Sequence, residues 1–107
     1  LKIHSCWDNQ GRSFDRYTVY YKGRGSLEWR WTGAGKAVQY RQLRGMSENP
    51  FHPQGFGQWC HGMPGKHNGK RIAFQDLPAD CQRLVARDLE ATVEVLLEQN
   101  KPKVKNG

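Results

Sequence analysis

Residues 14–21 alternate polar and apolar side chains with period two, which sets Tyr17, Val19 and Tyr21 on one face and Arg16, Thr18 and Tyr20 on the other. Tyr, Thr and Val suit a pleated, half-buried surface, so this run predicts a strand. The run 27–32 repeats the pattern, with Leu27, Trp29 and Trp31 set against Glu28, Arg30 and Thr32. Between the two, Lys22-Gly23-Arg24-Gly25-Ser26 has the backbone freedom of a hairpin turn, and the flanking runs are expected to pair antiparallel. A turn at Gly33-Ala34-Gly35-Lys36 leads to a third strand over 37–43, residues 70–74 predict a last strand, and residues 1–7 fit a short edge strand.

From Pro78 the period changes. Cys81, Leu84, Val85, Leu89, Val93, Leu96 and Leu97 recur at steps of three and four, while Arg83, Arg87, Glu90, Glu94 and Glu98 hold the opposite face. Pro78 and Asp80 suit a helix start, and Asn100 before Pro102 suits its end, which predicts one long helix over 78–99. Its apolar stripe needs a cover, and the aromatic face of the sheet is the surface available. The expected fold is therefore α+β: a three- to four-stranded antiparallel sheet packed on one C-terminal helix, a single domain over 1–100 with a basic flexible tail over 101–107.

Composition sharpens the core. Leu, Ile, Val and Phe together number only 20 of 107 residues, so the four Trp and four Tyr must supply much of the packing. Trp29 and Trp31 are accordingly expected beneath the helix with Tyr17 and Val19, which leaves Tyr20, on the far face, as the exposed ring.

Between Gly45 and Gly69 lie six of the twelve glycines, three of the five prolines and three of the four histidines, a stretch ill suited to helix or sheet. Long loops of this kind in a small domain commonly bind or catalyse. Phe51, Phe56 and Trp59, with His52 among them, predict a partner-binding loop over 46–61, stiffened by Pro50 and Pro53. The alternative is that these rings fold back to cap the core.

Charge points to an anionic partner. Seventeen Lys and Arg against ten Asp and Glu give +7, and discounting the tail lysines Lys101, Lys103 and Lys105 still leaves +4. Arg16, Lys22, Arg24, Arg30, Arg41 and Arg44 are interleaved with aromatic residues, the combination that single-stranded nucleic acid requires: cations for phosphates and rings for bases. The leading expectation is a non-enzymatic nucleic-acid-binding protein with Tyr20 as a stacking ring. The rivals are a modulator that seats a host protein on the 46–61 loop, and a metal-dependent enzyme.

For the enzyme reading, His52, Cys60, His61 and His67 offer nitrogen and sulfur ligands, and zinc is the cofactor they would suit. The spacing lacks a C-x-x-C pair, so the expectation is no cofactor. Three cysteines, Cys6, Cys60 and Cys81, do not form a disulfide framework and point to a reducing, cytoplasmic setting. No run approaches the roughly 20 apolar residues of a membrane span.

Ser13-Phe14-Asp15-Arg16-Tyr17-Thr18-Val19, the loop from Gly45 to Gln58, and Gly69-Lys70-Arg71-Ile72 through Asp76-Leu77-Pro78 to Cys81 resemble small uncharacterised proteins encoded on bacterial plasmids and phages. The likeness covers most of the chain from residue 13 to 90. It implies a bacterial cytoplasmic setting and one of two occupations, handling nucleic acid or modulating a host protein. It assigns no functional residue.

Overall fold

Six antiparallel strands and two C-terminal helices make up the α+β fold of the computed structural model, which describes residues 1–53 and 57–102. Phe56 and the tail residues 103–107 lie outside the described residues. The strands are β1 Lys2–Asp8, β2 Tyr17–Lys22, β3 Leu27–Trp31, β4 Ala37–Met46, β5 Gly57–Gly62 and β6 Lys70–Ile72, and the helices are α1 Ala79–Asp88 and α2 Val93–Gln99.

The ten-residue β4 is the spine of the sheet. One of its edges carries β2 along residues 43–46 and then β3 along residues 37–41, while its other edge carries β5 along residues 41–46. On the far side of β2 the order continues through β1 to β6. The expected β2–β3 hairpin does not form. Tyr21 and Lys22 turn away to pair with Ile3 and Lys2 of β1, and the chain returns to the β4 edge at Ser26, whose carbonyl accepts from the Gln42 N–H at 2.7 Å. Gly23 and Gly25, both at positive φ, make that detour possible.

The sheet differs from the expectation in two places: β1 is an interior strand rather than an edge, and β5 arises inside the Gly/Pro/His stretch and adds a strand. Glycines at the ends of β5 are what let it lie against β4, because a Cβ at Gly57 would sit 2.6 Å from Leu84 and one at Gly62 would sit 3.0 Å from Leu43.

The helix-facing side is as the alternation predicts. Tyr17, Val19 and Tyr21 of β2 pack with Ile3, Cys6 and Met46 against Cys81, Leu84, Val85 and Leu96. The single long helix, however, is two. After Asp88 the chain closes a Schellman turn, with the Ala91 N–H donating to the Ala86 carbonyl at 2.9 Å and the Glu90 N–H to the Arg87 carbonyl at 3.2 Å, and Glu90 adopts φ +51°. Thr92 then caps α2 through its hydroxyl, which accepts from the Val95 N–H. After the break, Leu96 of α2 is buried in the core.

Glu90 occupies the position that helix ends usually give to glycine. A left-handed conformation costs an L-residue roughly 1–2 kcal/mol, so Glu90→Gly should stabilise the protein by about 1 kcal/mol after the entropy that glycine adds to the unfolded chain. Urea denaturation checks this. A loss of stability would mean that the Glu90 side chain has a role that outweighs its backbone strain.

Candidate nucleic-acid interface

Beyond Arg41, where β5 also ends, β4 continues with β3 alone as a two-stranded ribbon. The Thr32 N–H donates to the Lys36 carbonyl at 2.8 Å, the Gly35 N–H donates to the Thr32 carbonyl at 3.1 Å, and Gly35 sits at φ +74°; together they close the turn and fix the register. Opposed residues in an antiparallel pair share a face, so Leu27, Trp29 and Trp31 lie with their partners Arg41, Gln39 and Ala37 on one side of the ribbon. The other side carries Glu28, Arg30, Val38 and Tyr40. There the Arg30 guanidinium lies 4.9 Å above the Tyr40 ring and 3.4 Å from Glu28, whose second oxygen is 3.2 Å from His61 Nδ1.

Trp29 and Trp31 are 66% and 80% exposed, which overturns their expected burial under the helix. The cause is length and facing. At ten and seven residues, α1 and α2 span only about 15 and 10 Å, whereas β4 runs about 33 Å. Odd-numbered residues of β4 also face away from the helices, and the ribbon tryptophans share that side. No described element covers them.

A cluster of positive charge adjoins this face. Burial first, and then the charges of Arg41, Arg71 and Lys22, hold the imidazole of His4 below its ordinary pKa. Arg41 stands directly across from Leu27 on the tryptophan face, and Lys22 and Arg24 are exposed at the turn that enters β3. Arg71, in β6, is a member of this cluster that sequence reasoning missed, because nothing along the chain places β6 beside β1.

Two of the expected nucleic-acid ligands are internal. Tyr20 is 1% exposed, its hydroxyl 3.1 Å from the Met63 carbonyl and 2.9 Å from Asn68 Oδ1, and burial pushes its phenol pKa up. The alternation placed it correctly on the face opposite the helices, but the segment 63–68 covers that part of the face. Arg44 is buried on the helix side. It forms a two-pronged ion pair with Asp88 at 2.6 and 2.9 Å, donates to the Gly57 carbonyl, and lies 4.0 Å from the centre of the Trp59 ring. Asp88 also accepts from the Tyr21 hydroxyl at 3.0 Å.

Arg16 is a tether. It donates to Asp8 at 2.9 Å and to Glu48 at 2.6 Å, and its bond to Asp8 holds that carboxyl below the usual range. Lys22, Arg24 and Arg41, together with the Glu28-paired Arg30, are the expected cations that remain at the surface.

The remaining candidates are dispersed. Trp59 belongs to β5 rather than to a loop and stacks over Arg44 and near Tyr21, with its ring partly exposed. Phe51 is exposed near Arg83, and His52 lines a cleft at the opposite end of β4 from the ribbon turn. Cys60 and His61 are neighbours on a strand and therefore point to opposite faces, while His67 lies in a short 3-10 turn. His52, Cys60, His61 and His67 are thus not brought together, and the described residues contain no cluster of three metal-ligating side chains. Cys6 and Cys81 are buried, their thiols each pushed up to about 12 by desolvation. Among the described residues no helix is long and apolar enough to cross a membrane. Comparison of the chain with models of known protein families, with curated proteins and with solved structures finds no match.

Proposed function

We propose that the chain binds single-stranded nucleic acid on the tryptophan face of the β3–β4 ribbon. The observation that carries this reading is the pair of exposed tryptophans two residues apart on one strand face of a +7 protein, with Arg41 on the same face. Bases offer a flat apolar surface whatever their identity, so two indoles in line stack successive bases, while Arg41, Lys22, Arg24 and Arg71 meet the phosphates. A closed duplex keeps its bases stacked on each other and presents no faces to Trp29 and Trp31, so single strands are favoured.

The test is a titration of labelled single-stranded and duplex oligonucleotides at low and moderate salt, read by tryptophan fluorescence and by anisotropy. Stacking contributes roughly 1–3 kcal/mol per base, so the Trp29→Ala, Trp31→Ala double variant should bind at least ten-fold more weakly. Because both side chains are exposed, its unfolding free energy should stay within about 0.5 kcal/mol of wild type for each substitution. Lys22→Ala with Arg41→Ala should lower the slope of log affinity against log salt by roughly 0.7 for each phosphate that is no longer neutralised. Affinity unchanged in the tryptophan variant, or single strands bound no better than duplex, would overturn the proposal. The 46–61 segment and a protein partner would then be the next candidates.

A further inference from the structure

The side of the sheet that faces away from the helices gathers cations from three strands beside one histidine. A bulge between Ile3 and Ser5 leaves His4 as an extra residue of β1, after which Ser5 and Trp7 lie on that side opposite Tyr20 and Thr18 of β2. Lys22 stands two residues from Tyr20, Arg41 stands two residues from Leu43, the β4 partner of Tyr20, and Arg71 of β6 is directly opposite Trp7. Period two therefore puts Lys22, Arg41 and Arg71 on one side of the sheet.

The Ser5 hydroxyl brings His4 to the same side and sets its proton. Ser5 is buried, and among the described residues its hydroxyl has two partners, the Trp7 indole at 2.8 Å and His4 Nδ1 at 2.9 Å. An indole N–H can only donate, so the Ser5 oxygen accepts it and the Ser5 hydrogen goes to His4 Nδ1. That leaves the ring proton of neutral His4 on Nε2. The ring is half-buried, and its Nε2–H has no partner among the described residues. Burial and the charges of Arg41, Arg71 and Lys22 keep the imidazole in its neutral form.

Charge around this donor is uncompensated. Ion pairs among the described residues engage Arg16, Arg30, Arg44, His61, Arg83 and Lys101, and none engages Lys22, Arg41 or Arg71. Lys2, the direct cross-strand partner of Lys22, adds a further positive charge, and like charges in opposed positions destabilise a sheet. A bound anion relieves that repulsion. The ribbon leads to this point: Trp31, Trp29 and Leu27 follow one another on its tryptophan face at steps of about 6.8 Å, and Arg41 lies across from Leu27. A phosphate monoester carries about −1.5 to −2 charge near pH 7, more than the single charge of a phosphodiester within a strand, and so makes fuller use of several converging cations.

Resting on the ribbon reading, we propose that His4 Nε2, Lys22, Arg41 and Arg71 form a binding site for the terminal phosphate monoester of the single strand whose bases stack on Trp29 and Trp31. Ends that carry a phosphate are then preferred over ends that carry a hydroxyl. His4 acts as a neutral hydrogen-bond donor, and the three cations supply the charge.

The test is a titration of the full chain with a short oligothymidylate in three forms, bearing a 5′-phosphate, a 3′-phosphate or hydroxyls at both ends, at one moderate salt concentration. At least one phosphorylated form should bind about ten-fold more tightly than the hydroxyl form, the size expected of charge-assisted hydrogen bonds to one added group. Which end is preferred reads out the direction in which the strand crosses Trp31 and Trp29. His4→Ala and Arg71→Ala should each remove most of the preference. Arg71 is exposed, so its variant should melt as wild type does even if loss of the Ser5 partner makes the His4 variant less stable. In the wild-type chain the imidazole resonances of His4 should move further with the preferred phosphorylated strand than with the hydroxyl strand. Equal affinities for all three forms would overturn this proposal and leave the ribbon reading standing, whereas absence of affinity for every form would overturn both. A preference that survives Arg71→Ala, or that leaves the His4 resonances unmoved, would also overturn the assignment of the phosphate to this site.

Discussion

Asp88→Ala should destabilise the protein by about 3–5 kcal/mol, a large share of the roughly 5–15 kcal/mol that holds a domain of this size folded. The substitution strands a cation. Arg44 and Asp88 retain 11% and 6% side-chain exposure, so removing the carboxylate leaves a guanidinium in a site that water scarcely reaches, and it also leaves the Tyr21 hydroxyl without its acceptor. That penalty is larger than the net worth of the pair itself, because an intact buried ion pair roughly balances its attraction against the desolvation of both ions. The double variant Arg44→Met, Asp88→Leu should therefore recover most of the loss. Chemical denaturation of the three proteins, with Trp59 above Arg44 as the fluorescent reporter, decides the point. A cost for Asp88→Ala below about 1 kcal/mol is the size expected of a surface pair and would mean that Arg44 reaches solvent. It would then return to the set of phosphate ligands.

The same residue shows where the sequence stops being informative. Period two identified β2 and β3 and correctly divided Tyr17, Val19 and Tyr21 from Tyr20, because side-chain direction on a strand is a local property. What covers each face is not local. Trp29 and Trp31 share a face by the same rule, yet it is the face turned away from the helices, so rings expected in the core stand in solvent. Tyr20 was rightly assigned to the other face but is roofed by the segment 63–68. Arg44 and Arg41 look alike in the sequence, and only the position of Asp88 on α1 makes one structural and leaves the other free to meet a ligand. Arg71 joined the basic cluster solely through the pairing of β6 with β1.

Pairing and interruption were hidden for related reasons. Gly23 and Gly25 read as a hairpin turn, whereas they serve a detour that sends Tyr21 and Lys22 to β1. Gly57 and Gly62 read as loop residues, although their missing side chains are what admits β5 beside β4 under Leu84 and Leu43. The helix break turns on Glu90, a good helix former in the position where glycine would have announced a stop. Thr92 was the available signal, a capping residue within a periodic run.

Gly69→Ala should cost about 3–4 kcal/mol and lower the melting temperature by roughly 15 °C or more, given about 4–8 °C per kcal/mol for a domain near this size. Two penalties add. Gly69 has φ +100° and ψ −138°, a conformation outside the left-handed helical region that is open essentially to glycine, and an L side chain there costs about 1–3 kcal/mol. A Cβ there would also meet the backbone of the β1 end, with Asn9 Cα only 2.6 Å away, and relieving such an overlap costs about 1–3 kcal/mol. Gly25→Ala separates the two contributions, because Gly25 has φ +81° and nothing within 4 Å of its Cβ position, so only the backbone penalty applies. The close approach at Gly69 is to main chain, which cannot rotate aside as a side-chain end can. Relief must come from moving the three-residue β6 off β1, where Lys70, Arg71 and Ile72 pair with Asp8, Trp7 and Cys6. That movement would carry Arg71 away from Lys22 and Arg41, so Gly69→Ala should also lower the salt dependence of oligonucleotide binding at temperatures where the variant is still folded. Equal costs for the two alanine variants would show that β6 is not pinned against β1 by close approach, and Arg71 would lose its place in the basic cluster beside the tryptophan face.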